Sequence, residues 1–360
     1  MRNAWLPNDV PRTDNVLDAV AARIWRRAAA VDAAAAFPAE DIADLSMSGT
    51  IAACTDLLDD AALPVLSAIG AASLTVGRLF EGHLNAVKLV NRYGDASSAA
   101  VVSAETAAGR ILGVWNAERG GGGGGVTATR IDGGYRLDGG KVHCSGAGTI
   151  RRPVVTANLD GDTLMVLPDL ASPRVGVDLA VWRAAGMRAT ATGSVTFNGL
   201  IVPDAAVLGG AGDYYRSPWF SGGAWRVIAV QLGALDRIMA LHAERLRDDP
   251  VARARFAAAA GAHEAARLHV REAARRAEAP TSDPEAIDAY VDLARATFET
   301  AALTIIEATR RNVGLSSFIA PDPLDRCLRD LETYLRQPFL DASRDHAARW
   351  LAARGGRFTA

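Results

Sequence analysis

The stretch Leu137-Asp138-Gly139-Gly140-Lys141-Val142-His143-Cys144-Ser145-Gly146-Ala147 decides how the chain is read. Asp138-Gly139-Gly140 is turn chemistry, and a short strand follows it, closed by Gly146. Alternate residues of a strand share a face. Lys141, His143 and Ser145 are therefore expected on one face, with Val142 and Cys144 on the other. A Lys-His-Ser row has two readings: an ordinary solvated face, or the wall of a binding site. The stretch does not choose between them, so the sequence on either side has to.

That stretch lies in a region of short alternating runs, from about 97 to 210, rich in Gly, Thr and Val. Strands are expected at 111–115, 126–131, 135–137, 141–145, 153–158, 163–167, 175–179 and 194–197. Turn signals such as Asp132-Gly133-Gly134 and Asp160-Gly161-Asp162 separate them, and the spacing predicts an antiparallel barrel or sandwich. Residues 14–95 read as helix, beginning with Val16, Val20 and Ile24 at intervals of four. One long helix is expected from Ser67 to Tyr93, ended by Gly94. Gly77 and Gly82 inside it imply a close approach, by a neighbouring helix or by a ligand. From about 222 the helical pattern returns, over 226–246, 256–277, 287–311 and 323–335. Pro280-Thr281-Ser282-Asp283-Pro284 is read as the turn between the second and third of these.

Composition narrows the function. The chain has 360 residues, 49% hydrophobic and 22% charged, enough for more than one domain. Its net charge of -2 gives no sign of a nucleic-acid or membrane-surface partner. Three scattered cysteines, Cys54, Cys144 and Cys327, fit a reducing cytoplasm better than a disulfide framework or a zinc site. No leader peptide is expected in residues 1–14, and no apolar run is long enough for a membrane span. No metal is expected, because no histidines stand at ligand spacing. The glycine run Gly120–Gly125 leads into a strand rather than a helix, so it is not a dinucleotide fingerprint. His263-Glu264 lacks the second histidine of a zinc protease, and no serine-hydrolase elbow occurs.

The helix–strand–helix order carries three further segments: Trp115-Asn116-Ala117-Glu118, Leu137 to Ala147, and Gly186-Met187-Arg188-Ala189-Thr190-Ala191-Thr192-Gly193-Ser194-Val195-Thr196-Phe197 before Val202-Pro203. With Arg329-Asp330 near the end, this pattern resembles the acyl-CoA dehydrogenase superfamily over roughly 15–345. The resemblance implies an α+β protein. Residues 1–96 would form an N-terminal helical domain, 97–212 a middle β-barrel or sandwich domain, and 213–360 a C-terminal four-helix bundle. It also implies FAD, with FMN as the other possibility, a small-molecule substrate such as an acyl-CoA, and a homodimer or homotetramer.

Residue by residue, the resemblance sets Ser145 at the hydroxyl that touches the flavin ring, and His143 where relatives carry an aromatic wall. Trp115, Asn116 and Ala117 fall at flavin-contacting positions, and Arg226 at the arginine opening the first C-terminal helix. The expected activity is α,β-desaturation of an acyl thioester. One departure bears on it directly. The family's catalytic glutamate falls at one of two positions, which here are Pro338 or its immediate neighbourhood and Trp225. Neither is a carboxylate, and desaturation needs a base for the α-proton. The segments 245–250 and 310–314 also depart from those that hold the adenosine end of FAD. Two alternatives share the fold. One is a reduced-flavin monooxygenase using His83, Asn116, Ser145 and a position near Gln337. The other is a non-catalytic relative.

Overall fold

The structure is a computed structural model that describes residues 15–55, 60–118, 125–279, 283–336 and 340–358. Most of the glycine run and the positions Gln337 and Pro338 lie outside the described residues, as do residues 280–282 of the expected turn and residues 1–14.

The N-terminal part is helical: α1 (Asn15–Ala34), α2 (Ala39–Met47), α3 (Ala62–Ala72), α4 (Leu74–Tyr93) and α5 (Ala96–Ala107). Val20 and Ile24 are buried as their spacing predicts, whereas Val16 is exposed. The long helix expected from Ser67 is two helices. Ser73 adopts an extended backbone between them, and its hydroxyl oxygen accepts from the Val76 N–H as the N-cap of α4. Helix continues through α5, past the change of texture at residue 97. Asp95 opens α5 with a reciprocal capping box to Ser98.

The middle part is one mixed sheet of β1 (Gly113–Trp115), β2 (Thr127–Ile131), β3 (Gly134–Cys144), β4 (Pro153–Leu159), β5 (Asp162–Val166), β6 (Val175–Asp178), β7 (Gly193–Pro203) and β8 (Val207–Leu208). The strand order is β6-β7-β3-β2-β4-β5-β8, with β1 against β4. The β1–β4 and β2–β4 pairings are parallel, so the expected all-antiparallel arrangement is corrected. The two strands expected at 135–137 and 141–145 are one, β3. What reads as a turn at Asp138-Gly139-Gly140 is continuous strand paired with Asn198, Phe197 and Thr196, next to a bulge whose extra residue is Gly199 of β7. Gly139 has φ +110°, and a Cβ there would lie 2.0 Å from the Gly125 carbonyl oxygen, so only glycine fits at that position.

The C-terminal part comprises α6 (Trp219–Gly222), α7 (Trp225–Glu244), α8 (Pro250–Glu278), α9 (Pro284–Val313), α10 (Pro323–Tyr334) and α11 (Leu340–Ala352). Helices α7 to α10 form the bundle, and α7 also packs along α3 and α4. The close approach read from Gly77 is to a helix. A Cβ at Gly77 would lie 2.5 Å from Val230 Cγ1, and one at Gly70 would lie 2.1 Å from the Val230 carbonyl oxygen. Buried Leu66, Ile69, Val76, Trp225, Val230 and Phe298 belong to one core that runs through all three parts. Among the described residues no helix is long and apolar enough to cross a membrane, and no cluster of His, Cys, Asp or Glu could hold a metal.

Candidate functional site

The end of β3 does not alternate as its sequence suggests. A second register shift falls between Lys141 and Cys144, and His143 sits at φ +54°. That kink breaks the alternation after Lys141, which is buried at 1% exposure, and leaves His143 outward. The shared Lys-His-Ser face is thereby corrected: Lys141 and Cys144 are both buried, and Ser145 lies past the strand in a turn.

Buried Lys141 organises the neighbouring loop. Its Nζ donates to Glu118 Oε1 at 2.5 Å, to Thr156 Oγ1 at 2.9 Å and to the Asn116 carbonyl at 3.2 Å. Burial lowers the Lys141 pKa, and Glu118 works against that. An ammonium only donates, so the Thr156 oxygen is an acceptor there and its own hydrogen goes to Asn116 Oδ1, 2.8 Å away. The Tyr215 hydroxyl adds a second donor to the same oxygen at 3.1 Å. With Oδ1 so engaged, the Asn116 amide is oriented, and its NH2 is directed away from these partners as a donor. The Val142 N–H donates to the Ala117 carbonyl at 3.0 Å, stitching this loop to β3.

Ser145 terminates a row of hydroxyls. Thr190 donates to the Met187 carbonyl at 2.8 Å, so its 2.7 Å contact with Thr192 takes the Thr192 hydrogen, and Ser145 Oγ stands 3.4 Å from Thr192 at the end of the row. Trp115 is almost fully buried and its Nε1 donates to the Ser145 carbonyl at 3.1 Å. It therefore positions Ser145 rather than offering a ring face. Outside the kink, His143 meets Trp182 edge-on, with centroids 6.4 Å apart. Asn116, Ala117, His143 and Ser145 thus come together, with Thr192 as a member the sequence reading missed. The signal for Thr192 was its place in the Gly186–Phe197 segment.

Two expected residues fall elsewhere. His83 is fully buried on α4. Its Nδ1 accepts from the Leu112 N–H at 3.0 Å, so Nε2 carries the hydrogen and donates to the Ile51 carbonyl at 3.4 Å. Burial lowers its pKa to about 4. A neutral ring with both nitrogens engaged by the backbone has no hydrogen-bonding position left for a ligand. Arg226 is buried in a charged cluster on the α4 side. Its Nε donates to Asn85 Oδ1 at 2.5 Å and its Nη1 to Glu278 Oε1 at 2.8 Å. Trp225, at one family base position, is wholly buried and donates from Nε1 to the same glutamate oxygen at 2.9 Å.

The Gly186 segment docks on α10. The Met187 N–H donates to Asp330 Oδ1 at 2.6 Å and the Gly186 N–H to Thr333 Oγ1 at 3.2 Å. Asp32 of α1 joins Arg188 at 2.7 Å and Arg329 at 2.9 Å, so one carboxylate ties all three parts of the chain together.

The order of helices, sheet and bundle is that of the acyl-CoA dehydrogenase fold, and residues 220–339 match the family model for the acyl-CoA dehydrogenase C-terminal domain. Solved structures of that fold superpose over nearly the whole chain. FMN-bound TdsC from Paenibacillus sp. A11-2 gives a TM-score of 0.83 at 21% identity, covering 96% of this chain and 97% of that one. Methanesulfinate monooxygenase MsuC from Pseudomonas fluorescens gives 0.81 at 17% identity, over 94% and 96%. KijD3 in complex with FMN and a dTDP-amino-keto sugar gives 0.78 at 21%, over 97% and 96%. No curated protein sequence matches the chain.

Proposed function

We propose that the chain is a flavin-dependent oxidoreductase that works as a reduced-flavin monooxygenase on a small molecule, with FMN as its flavin. The observation that carries this is the pairing of oriented donors with the lack, among the described residues, of a free carboxylate at the family base positions. Asn116 and Ser145 present N–H and O–H groups at the end of β3. Among the described residues, the carboxylates nearest the α4 side of the site, Glu81 and Glu278, are held by Arg78, Asn85, Arg226, Lys88 and Trp225. A carboxylate committed to ion pairs is a poor proton acceptor. The position of one family base is filled by Trp225. Acyl thioester desaturation, the expectation from the resemblance, lacks its reagent among these residues.

The donor set fits a flavin ring, whose edge carries carbonyl oxygens and ring nitrogens that accept hydrogen bonds. When bound, a reduced flavin supplies electrons to O₂. The chain's own part is to hold the ring edge with Asn116 and Ser145, to wall it with His143 and Trp182, and to keep those donors fixed through Lys141 and Trp115. The FMN-bound relatives support FMN over FAD, and so do two arginines of this chain. Arg245 pairs with Asp322 at 3.0 Å and Arg310 with Glu332 at 2.6 Å. The arginines in the segments that match those holding the adenosine end of FAD in dehydrogenases each have a carboxylate partner inside the chain.

Two anaerobic mixtures separate this reading from its rival. The protein loaded with oxidised flavin should keep its visible flavin band when octanoyl-CoA is added, and photoreduced FMN should bind the protein saturably. Bleaching by octanoyl-CoA would restore the dehydrogenase reading. For Ser145→Ala, FMN affinity should fall about tenfold, the order of one lost hydrogen bond to a polar ligand.

A further inference from the structure

On the α4 side of the site lies a continuous buried run of charged groups. Arg78 Nη1 donates to Glu81 Oε2 at 2.5 Å, Asn85 donates to the other oxygen of Glu81, and Arg226 donates to Asn85. Arg226 and Lys88 then share Glu278, at 2.8 and 2.7 Å. The carboxylates acting on this run, among the described residues, are Glu81 and Glu278, facing Arg78, Lys88 and Arg226. Arg92 adds a fourth cation nearby, its guanidinium over the Trp219 ring. Among the described residues these cations outnumber the two carboxylates, while at Arg78 itself burial is outweighed by Glu81, which raises the pKa. Burial, with Arg92 adding to it, lowers the Arg226 pKa, and burial with Arg226 brings Lys88 down to about 8. A surplus of buried charge is costly unless something compensates it.

The surplus is not sealed away. A quarter of the Arg78 side chain is accessible, 24%, although Glu81 and the residues around it are buried. A methyl group placed on Gly82 would lie 3.4 Å from Arg78 Nη1 and 4.0 Å from Gly113 Cα, which sets the guanidinium over the start of β1, two residues before Trp115. Tyr214 is close enough to act electrostatically on Arg78, and Tyr215 beside it holds Asn116. Tyr214, Tyr215 and Phe220 form an aromatic cluster with centroids 4.8–5.2 Å apart. Arg78 is therefore linked through Tyr214 and Tyr215 to the side of the site that carries Asn116.

We propose that Arg78, backed by Arg226 and Lys88, anchors an anionic group of the substrate, so that the substrate class is a small organic anion whose body rests on the Tyr214–Tyr215–Phe220 cluster. This deepens the monooxygenase reading and rests on it for the word substrate. A guanidinium suits a carboxylate or another oxyanion because it can donate two parallel hydrogen bonds.

The test is calorimetry on the full chain with benzoate and its uncharged isostere benzamide. Benzoate should bind at least about tenfold more tightly than benzamide, and Arg78→Gln should remove the difference. Glu81→Gln deletes a negative charge and keeps an amide for Arg78, so it should tighten benzoate binding, the opposite of what damage to the fold would do. Equal binding of the two probes overturns the proposal, as does weakening by both variants. FMN and riboflavin are then titrated into the benzoate complex. Displacement by FMN but not riboflavin would mean that the cations hold the flavin phosphate, which also overturns it. Benzoate binding by a chain that takes up no flavin of either redox state would uphold the anion site and sink the flavin reading instead.

Discussion

Lys141 shows how much one residue can set. It is among the largest fully buried side chains, in a strand whose neighbours on the sheet are apolar. Its three acceptors lie on the Asn116 loop and on β4, so it fixes the loop and, through Thr156, the rotation of the Asn116 amide. Lys141→Met should keep the volume and lose the donors. Expected are a stability loss of roughly 1–3 kcal/mol in urea unfolding, from the acceptors left unpaired in the interior, and weaker FMN binding because the amide can rotate. An unchanged urea midpoint would mean that the ammonium holds nothing. Simple alternation in the sequence puts Lys141 on the outer face with His143. The bulge between Lys141 and Cys144 separates the two, and it has no glycine to announce it.

At the scale of elements, the docking of the Gly186 segment on α10 is the joint between sheet and bundle. Burial raises the Asp330 pKa to about 6, while the Met187 N–H, Arg326 and Arg329 pull the other way. An acid whose folded pKa exceeds its unfolded value of about 3.9 binds more protons when folded. Its contribution to stability is therefore complete below pH 4 and is lost as pH rises through 6. Asp330→Asn keeps an acceptor for Met187 and removes the titration. It should match the parent near pH 4 and be more stable above pH 6 by about 2–3 kcal/mol. A pH-independent difference would contradict the assignment. Both halves of this joint, Gly186–Phe197 and Arg329-Asp330, were legible as segments, because their residue types are distinctive in order. That they touch was not, since nothing in either one encodes a partner 143 positions away. Strand positions were legible from turn signals. The Ser73 break and the parallel pairings of β4 were not, because tertiary packing on α7 and the return path of the chain decide them.

For the whole molecule, the three parts share one core, and Asp32, Arg188 and Arg329 pin them together. The carboxylate of Asp32 is half-buried, which would raise its pKa, yet Arg188 and Arg329 hold it low. The fold was readable from the order of helices, strands and helices together with a few motifs. The end of β3 that we propose faces the flavin was singled out in the sequence by Ser145 and Asn116. The chemistry was half readable: the sequence shows that Trp225 is no base, but only the structure shows that Glu81 and Glu278 are spent on Arg78, Arg226, Lys88 and Trp225.

The central claim is that this site governs how reduced flavin meets O₂. The direct measurement is stopped-flow mixing of photoreduced FMN, with an excess of the protein, against air-saturated buffer, following the return of the visible flavin band. The account predicts a time course different from the autocatalytic reoxidation of free FMN, shifted back toward the free course in Ser145→Ala. Reoxidation indistinguishable from free FMN at saturating protein would contradict it.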